Sequence, residues 1–491
     1  MGWVSWASKG EWLRFWALFA ASRVLLAFFD PELLDLRKVV FCGGSLIPGY
    51  PSTTPGPEYD FFNSCDEYPP VFRWISALSL VVAGRSAVTL RLFFFAFEAA
   101  GVLFLHAFVV KVSAFLGNGP QSTKTGWRLA HLEIYAFNPV TLFFLALTPF
   151  EAATFALFCA GLYLTSANRL SASVTLLTLA TLTEIYPAYF LALLFCDRLG
   201  KGDLIGAAKV VGVFTVTFFA TYGLHAATGG TPFDGLGVHL SRVPRAYSVW
   251  QMVEPPTFRI GVLEVNLLGL LAIVIFGSAA FSYLTWNALN ALHDRKIREH
   301  QRTPDSLVVA GAFFMTLPVV FLSIFSRYYF WGFPLWLPIL TTRARLEIKK
   351  RMRGNATPLV RSVPELAQKV ERVSAIVTCS LAVLPVDFFV PTWHGIRLLS
   401  LGIAAFAWFW GPGDDLTRHF SSLTSALALL FWFQVLGLNL LPPDTYAWYY
   451  AVTALLGALL HALLARWFVV SWGRVRRLGG ARGSPASETT A

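Results

Sequence analysis

The sequence predicts an all-α, polytopic membrane protein of about 12–14 spans. Three observations carry this. Apolar runs of about 18 residues or more recur along the whole chain, the length a helix needs to cross a bilayer. Of the 491 residues, 56% are hydrophobic and only 14% charged, where a soluble domain is nearer a quarter charged. Basic residues gather between the runs, most densely at 286–306 and 342–370, as the positive-inside rule requires. The runs are continuous rather than alternating, which argues against a β-barrel. The net charge of +11 is therefore assigned to topology, and nucleic acid is not an expected partner.

The elements follow in order. A short polar start leads to a span at about 11–29, interrupted by Arg23 and followed by no small-residue cleavage site, so it reads as a retained anchor. Residues 30–67 form a long loop rich in Pro, Gly, Ser and Thr, ending in Asp66-Glu67-Tyr68-Pro69-Pro70. Spans are expected near 70–84 and 88–110. His131–Cys196 then holds three apolar segments with almost no linker, punctuated by Asn138-Pro139, Pro149-Phe150-Glu151 and Tyr186-Pro187. Two pieces within 129–166 read either as spans or as half-helices. A charged turn at Asp197–Asp203 precedes a span at about 204–225. A second long loop, 226–259, mixes aromatic residues with Arg242, Arg245 and Arg259. Further spans are expected near 260–285, 307–325, 328–341, 373–390, 396–410, 418–441 and 446–470. One transmembrane domain thus fills 1–472, and 473–491 is expected to be a basic, then disordered, Gly/Ser-rich cytosolic tail.

With a cytosolic amino terminus, alternating spans put 286–306, 342–370 and the tail in the cytosol. They put 30–67, 226–259 and the Asp387–His394 turn on the opposite, lumenal side. Lys111, Lys124 and Arg128 fall on the non-cytosolic side in this scheme, against the rule that orders the rest.

The cysteines have no metal-ligand spacing, and no metal or cofactor is expected. Cys42 and Cys65 share one polar loop and would pair if it faces an oxidising lumen. Charged groups at bilayer depth are costly and need partners. Arg23, Glu98, Glu151, Glu184, Arg327, Asp387 and Arg397 are the candidates, with Arg23–Glu98 one helix-to-helix pairing. As a set they point to a polar cavity. Asp66-Glu67 reads in two ways. It is an acid pair able to act as general base or to bind a divalent metal together with a sugar donor's phosphate, or the acidic lead-in to a helix that starts at the prolines. Trp393-His394 and Ser326-Arg327-Tyr328-Tyr329 occupy tight turns where Arg327 could contact a phosphate. There is no P-loop, HExxH or GxSxG with suitable partners.

Together these features resemble the GT-C superfamily, which has an N-terminal span, a long lumenal loop, and spans carrying NP and YP. The chain is similar to two families of the GPI-anchor pathway. PIG-M-type mannosyltransferases carry DxD after the first span, where this chain has Asp30-Pro31-Glu32 and Asp35, and a Lys before Tyr-Pro, where this chain has Glu184. The PIG-U family, a membrane subunit of the GPI transamidase, is similar at several places. Its Asn-Pro-Tyr-Thr resembles Asn138-Pro139-Val140-Thr141, and its Leu-Tyr-Pro resembles Ile185-Tyr186-Pro187. The segment before its second span resembles Asp66–Pro70. Its late Trp-His resembles Trp393-His394, and its FFP-x-W resembles Gly332-Phe333-Pro334-Leu335-Trp336.

The PIG-U resemblance implies a non-catalytic subunit in the endoplasmic reticulum membrane that presents GPI lipid to a cysteine-protease-like catalytic subunit. Its expected partners are the GPI lipid, the other transamidase subunits and membrane lipids. Its implied lipid and glycan contacts are Arg327, Tyr329, Asp387, Trp393 and His394. The mannosyltransferase relative implies instead a dolichol-phosphate-mannose-dependent enzyme using Asp66 or Glu67.

Overall fold

A computed structural model describes residues 8–28, 34–50, 65, 68–115, 129–137, 149–228, 257–260 and 263–266. It also describes 141, 145, 230, 307–308, 311, 332, 334–335 and 337–338. All of them belong to one compact unit, assembled from Met1–Pro244, Glu254–Leu322 and Tyr328–Thr342. Most of the described residues are helical, and one antiparallel pair of short strands is the exception among the regular elements. Two helices, α4 and α9 below, are long and apolar enough to cross a membrane by length and composition.

Helix α1 (Lys9–Ala27) opens on a capping box. Ser8 Oγ accepts from the Glu11 amide at 3.2 Å, and Glu11 Oε2 accepts from the Ser8 amide at 2.7 Å. Two otherwise orphaned donors are thereby satisfied. Helix α2 (Leu34–Gly44) lies inside the stretch expected to be loop. Its amphipathic sequence, Leu34-Asp35-Leu36-Arg37-Lys38-Val39-Val40, buries Leu36 and Val39. Tertiary packing rather than propensity holds such a short helix. Helix α3 (Pro70–Ala83) starts at a proline, whose missing N–H costs nothing in the first turn. It stops at Gly84, whose φ of +74° suits only a residue without Cβ. Helix α4 (Ala87–Phe115) is the longest described element and the axis of the unit.

The packing fixes directions. Trp12 meets His106, Arg23 meets Glu98, and Arg91 Nη1 donates to the Ala27 carbonyl at 2.8 Å. Helices α1 and α4 therefore run antiparallel. Leu36, Leu80 and Leu90 form one cluster. A Cβ on Gly43 would lie 2.5 Å from the Ser76 carbonyl carbon, so α2 and α3 are also antiparallel and touch backbone to backbone.

Helix α5 (Ala130–Ala136) is a single short piece. Helix α6 (Glu151–Ser166) lies against α4, where a Cβ on Gly101 would strike the Phe155 ring at 2.5 Å. Helix α7 (Leu170–Thr181) folds back on α6 through a turn with Asn168 at φ 59°. Ser173 Oγ donates to the Gly161 carbonyl at 2.8 Å and shares a 2.6 Å bond with Thr165. Helix α8 (Pro187–Gly200) starts at the Tyr-Pro, and α9 (Leu204–Ala227) follows a charged turn. There Asp203 Oδ1 accepts from the Gly206 amide at 2.8 Å.

Strands β1 (Thr257–Ile260) and β2 (Leu263–Asn266) pair antiparallel, Thr257 opposite Asn266 and Ile260 opposite Leu263. The span expected from residue 260 thus begins with extended chain. The local alternation of Phe258, Arg259 and Ile260 with Leu263, Glu264 and Val265 is strand-like, a signal hidden by the apolar average over 260–285.

Candidate functional site

Four helix ends meet in the interior. Helix α3 begins there, α6 begins there, α7 ends there before α8, and the last turns of α9 close it. The join is made by backbone. The amides of Val71 and Phe72, in the first turn of α3, donate to the Leu182 carbonyl at 2.9 and 3.3 Å. The start of one helix has donors to spare, and the end of another has acceptors to spare. Each completes the other where water is excluded. Tyr68 stacks on Phe72 at 4.0 Å between centroids, and Phe150 sets its edge against both, at 5.8 and 4.8 Å. Val71, Leu182 and Tyr222 share one buried cluster.

Polar groups line this junction. Glu151 is the first residue of α6 and 1% exposed, and Glu184 in the α7–α8 break is 5% exposed. A carboxylate at a helix start is favoured by the macrodipole. Tyr186 is fully buried and within electrostatic reach of both carboxylates. Arg73, one turn into α3, places Nη1 3.2 Å from Nε2 of the buried His225 near the end of α9. Lys38 Nζ from α2 lies 5.1 Å from the Tyr68 ring centroid, close enough for a cation–π contact.

The Arg23–Glu98 pair is formed. Arg23 Nε donates to Glu98 Oε2 at 2.9 Å, Nη2 donates to Oε1, and Nη1 donates to the Ala136 carbonyl at 2.7 Å. Both side chains are buried. The guanidinium thus neutralises α4's acid and caps α5, whose last residue is Ala136. Tyr135, stacked on Phe155 at 4.6 Å, adjoins Glu98.

Cys42 and Cys65 are joined in a disulfide with Cα atoms 5.4 Å apart. Asp66 and Glu67, Arg327, Tyr329, Asp387, Trp393 and His394 lie outside the described residues. The two immediate neighbours of the acid pair are held firmly, Cys65 by the disulfide and Tyr68 by its stack, and the Tyr68 amide donates to the Cys65 carbonyl at 3.0 Å. The helix-start reading of Tyr68-Pro69-Pro70 matches the position of α3, with Pro69 as the residue before the helix. Among the described residues no three His, Cys, Asp or Glu side chains form a group able to hold a metal ion.

Sequence reasoning missed three buried polar contacts: Arg73–His225, Arg91 on the Ala27 carbonyl, and His106 Nδ1–His131 Nε2 at 3.0 Å. Each charged or imidazole group interrupts an apolar run, and that interruption was the available signal. No family model, curated protein or solved structure matches the chain.

Proposed function

We propose that this chain is a multi-pass protein of the endoplasmic reticulum membrane, GT-C-like in architecture. On this reading it holds GPI lipid beside the catalytic subunit of the GPI transamidase. The lipid's ethanolamine amine then attacks an acyl-enzyme carried by that partner's cysteine, and the chain itself contributes no catalytic group.

One observation carries the reading. Three of the segments that resemble the PIG-U family adjoin in space although they are far apart in sequence. Tyr68-Pro69-Pro70 opens α3, whose amides bind Leu182 just before Tyr186-Pro187. Phe190, one turn after Pro187, and Leu335 of the Pro334-Leu335 segment both pack against Gly311, within 3.2 Å and 2.9 Å of where a Cβ would sit. Membrane residence is supported by α9. Only 22% of its apolar window is buried, whereas the core helix of a soluble protein would be mostly buried.

A second reading, a dolichol-phosphate-mannose-dependent mannosyltransferase, is favoured by the acid pair Asp66-Glu67 directly preceding the junction. The double variant Asp66→Ala, Glu67→Ala in cells lacking the native protein separates the two. Under the transamidase reading, any defect is accumulation of complete GPI lipid together with unprocessed precursor proteins. Loss of GPI mannosylation, with the transamidase complex still intact, overturns it. Co-purification gives an independent check: the transamidase reading requires a cysteine-protease-like subunit in stoichiometric amount.

A further inference from the structure

We propose that α3 does not cross the membrane. It is a re-entrant half-helix, and the whole stretch from the end of α1 to the start of α4 enters and leaves from one face. This rests on the membrane reading above and departs from the two crossings that the sequence suggests for 70–84 and 88–110.

Length is the first argument. Fourteen residues of α helix rise only about 21 Å, against a hydrocarbon core of about 30 Å. The 29 residues of α4 rise about 43 Å. If α3 and α4 share the end at their Gly84–Ser86 turn, α3 begins partway down α4. The contacts agree. Leu80 lies beside Leu90 near the shared end. The other end of α3 meets the start of α6 through Phe72–Phe150. Phe155, one turn into α6, touches Gly101, midway along α4.

The path into α3 is the second argument. A segment crossing from the far side would bring its lead-in from that side. Here the lead-in comes from the shared end. Tyr50, after α2, packs against the same Leu36–Leu80–Leu90 cluster as Ala83 and Ala87, and Arg85 lies over its ring at 4.2 Å. Gly43 abuts Ser76, so the neighbouring Cys42 lies alongside the middle of α3. Cys65 is bound to Cys42. From there the chain advances to Pro70 before α3 runs back. Irregular backbone at such depth is tolerated only when buried in protein with its polar groups satisfied. The Leu182 carbonyl meets that condition for Val71 and Phe72.

Sidedness is the third argument. A disulfide marks the oxidising face. The end of α1 at Ala27 is tied to Arg91 near this shared end, while Trp12 sits far off at His106. The amino terminus is then cytosolic, and α4 returns the chain to the cytosol. Lys111, Lys124 and Arg128, misplaced by two crossings, now lie on the side that positive-inside assigns them. Keeping 286–306 cytosolic then requires one later expected span not to cross, and the span expected at 260–285 is the one the β1–β2 hairpin interrupts; 226–259 then moves from the lumenal side to the cytosolic side.

Cysteine mapping in sealed, right-side-out microsomes tests this on the full chain. Cys159, Cys196 and Cys379 are replaced by Ala, and the Cys42–Cys65 bridge is kept. Ser86→Cys in the exposed α3–α4 turn, Ser122→Cys and Ser5→Cys are then probed singly with a membrane-impermeant maleimide. The proposal expects Ser5→Cys and Ser122→Cys to react at once, and Ser86→Cys only after permeabilisation. Immediate labelling at 86 with protection at 122 overturns it and leaves the membrane reading standing. Release of the unmodified protein by alkaline carbonate overturns the membrane reading itself, and the topology with it.

Discussion

Arg23 and Glu98, 75 residues apart, form a two-point ion pair in the interior, and the same guanidinium caps the last carbonyl of α5. Removing one partner strands the other charge without water, which costs about 3–5 kcal/mol. Glu98→Met and Arg23→Met are each expected to lower thermal stability in detergent steeply. The double variant Arg23→Met, Glu98→Met should recover much of the loss. It will not recover all of it, because the Ala136 carbonyl stays uncapped. A double-mutant cycle on unfolding midpoints measures the coupling, and additive losses would show that the pair carries none.

Gly43 is expected to tolerate no side chain. A Cβ there meets the Ser76–Ala77 backbone, at 2.5 Å from the Ser76 carbonyl carbon, and backbone cannot swing aside as a rotamer can. Gly43→Val should destabilise by about 1–3 kcal/mol through overpacking. Gly212, on α9 with nothing within 4 Å of its Cβ position, is the contrast. Gly212→Ala should be neutral or stabilising by up to about 1 kcal/mol. Equal losses for both would rule out the close approach of α2 and α3 as the cause.

Asp203 caps α9, and its pKa lies below the ordinary 3.8, first because its carboxylate accepts from the Gly206 amide and then because Arg198 is near. The folded state thus favours the charged form. Its contribution is complete above the ordinary value and fades as pH falls through the lower, folded one. Asp203→Ala should cost about 0.5–2 kcal/mol at neutral pH as a lost cap. The gap between wild type and variant should hold down to about pH 4 and close below that. Unfolding midpoints against pH report it, and a gap that widens in acid would contradict the sign.

Val71→Pro removes one of the two amides that bind the Leu182 carbonyl. Proline fits the first turn of a helix, so α3 should persist. The carbonyl keeps only the 3.3 Å bond from Phe72. A loss of about 1–3 kcal/mol is expected for a buried group left partly unsatisfied. Protection of nearby amides from hydrogen exchange should fall on both α3 and the α7–α8 break. Loss confined to α3 would mean that the two are not coupled.

The readable parts of this molecule were those where one residue type has few physical options. Pro70 and Gly84 bracket α3 because proline suits a helix start and glycine the positive φ that ends it. Tyr186-Pro187 starts α8 for the same reason. Arg23 and Glu98 were legible because a charge in an apolar run demands a partner. Helix α2 was not, since Arg37-Lys38 and Gly43-Gly44 look like loop until Leu36 and Gly43 find α3. The meeting of Val71 with Leu182 was not legible either, because main-chain groups carry no sequence signature. The acids and aromatics expected to contact lipid beyond residue 320 fall outside the described residues, so the candidate site rests on the junction around Tyr68, Glu151 and Tyr186.

The bond from Val71 to Leu182 also sets a clock on synthesis. Leu182 is made 111 residues after Val71 (182 minus 71), which at about 5–20 residues per second is roughly 6–22 s. For that interval the leading amides of α3 have no native acceptor. If α3 is the re-entrant half-helix proposed above, the newborn segment must therefore wait in a hydrated setting, at the membrane surface or within the insertion machinery. It can sink to its resting depth only once the end of α7 has emerged. Insertion of α3 is thus a late event for an early piece of chain, and nascent chains cut before residue 182 should leave it open to protease.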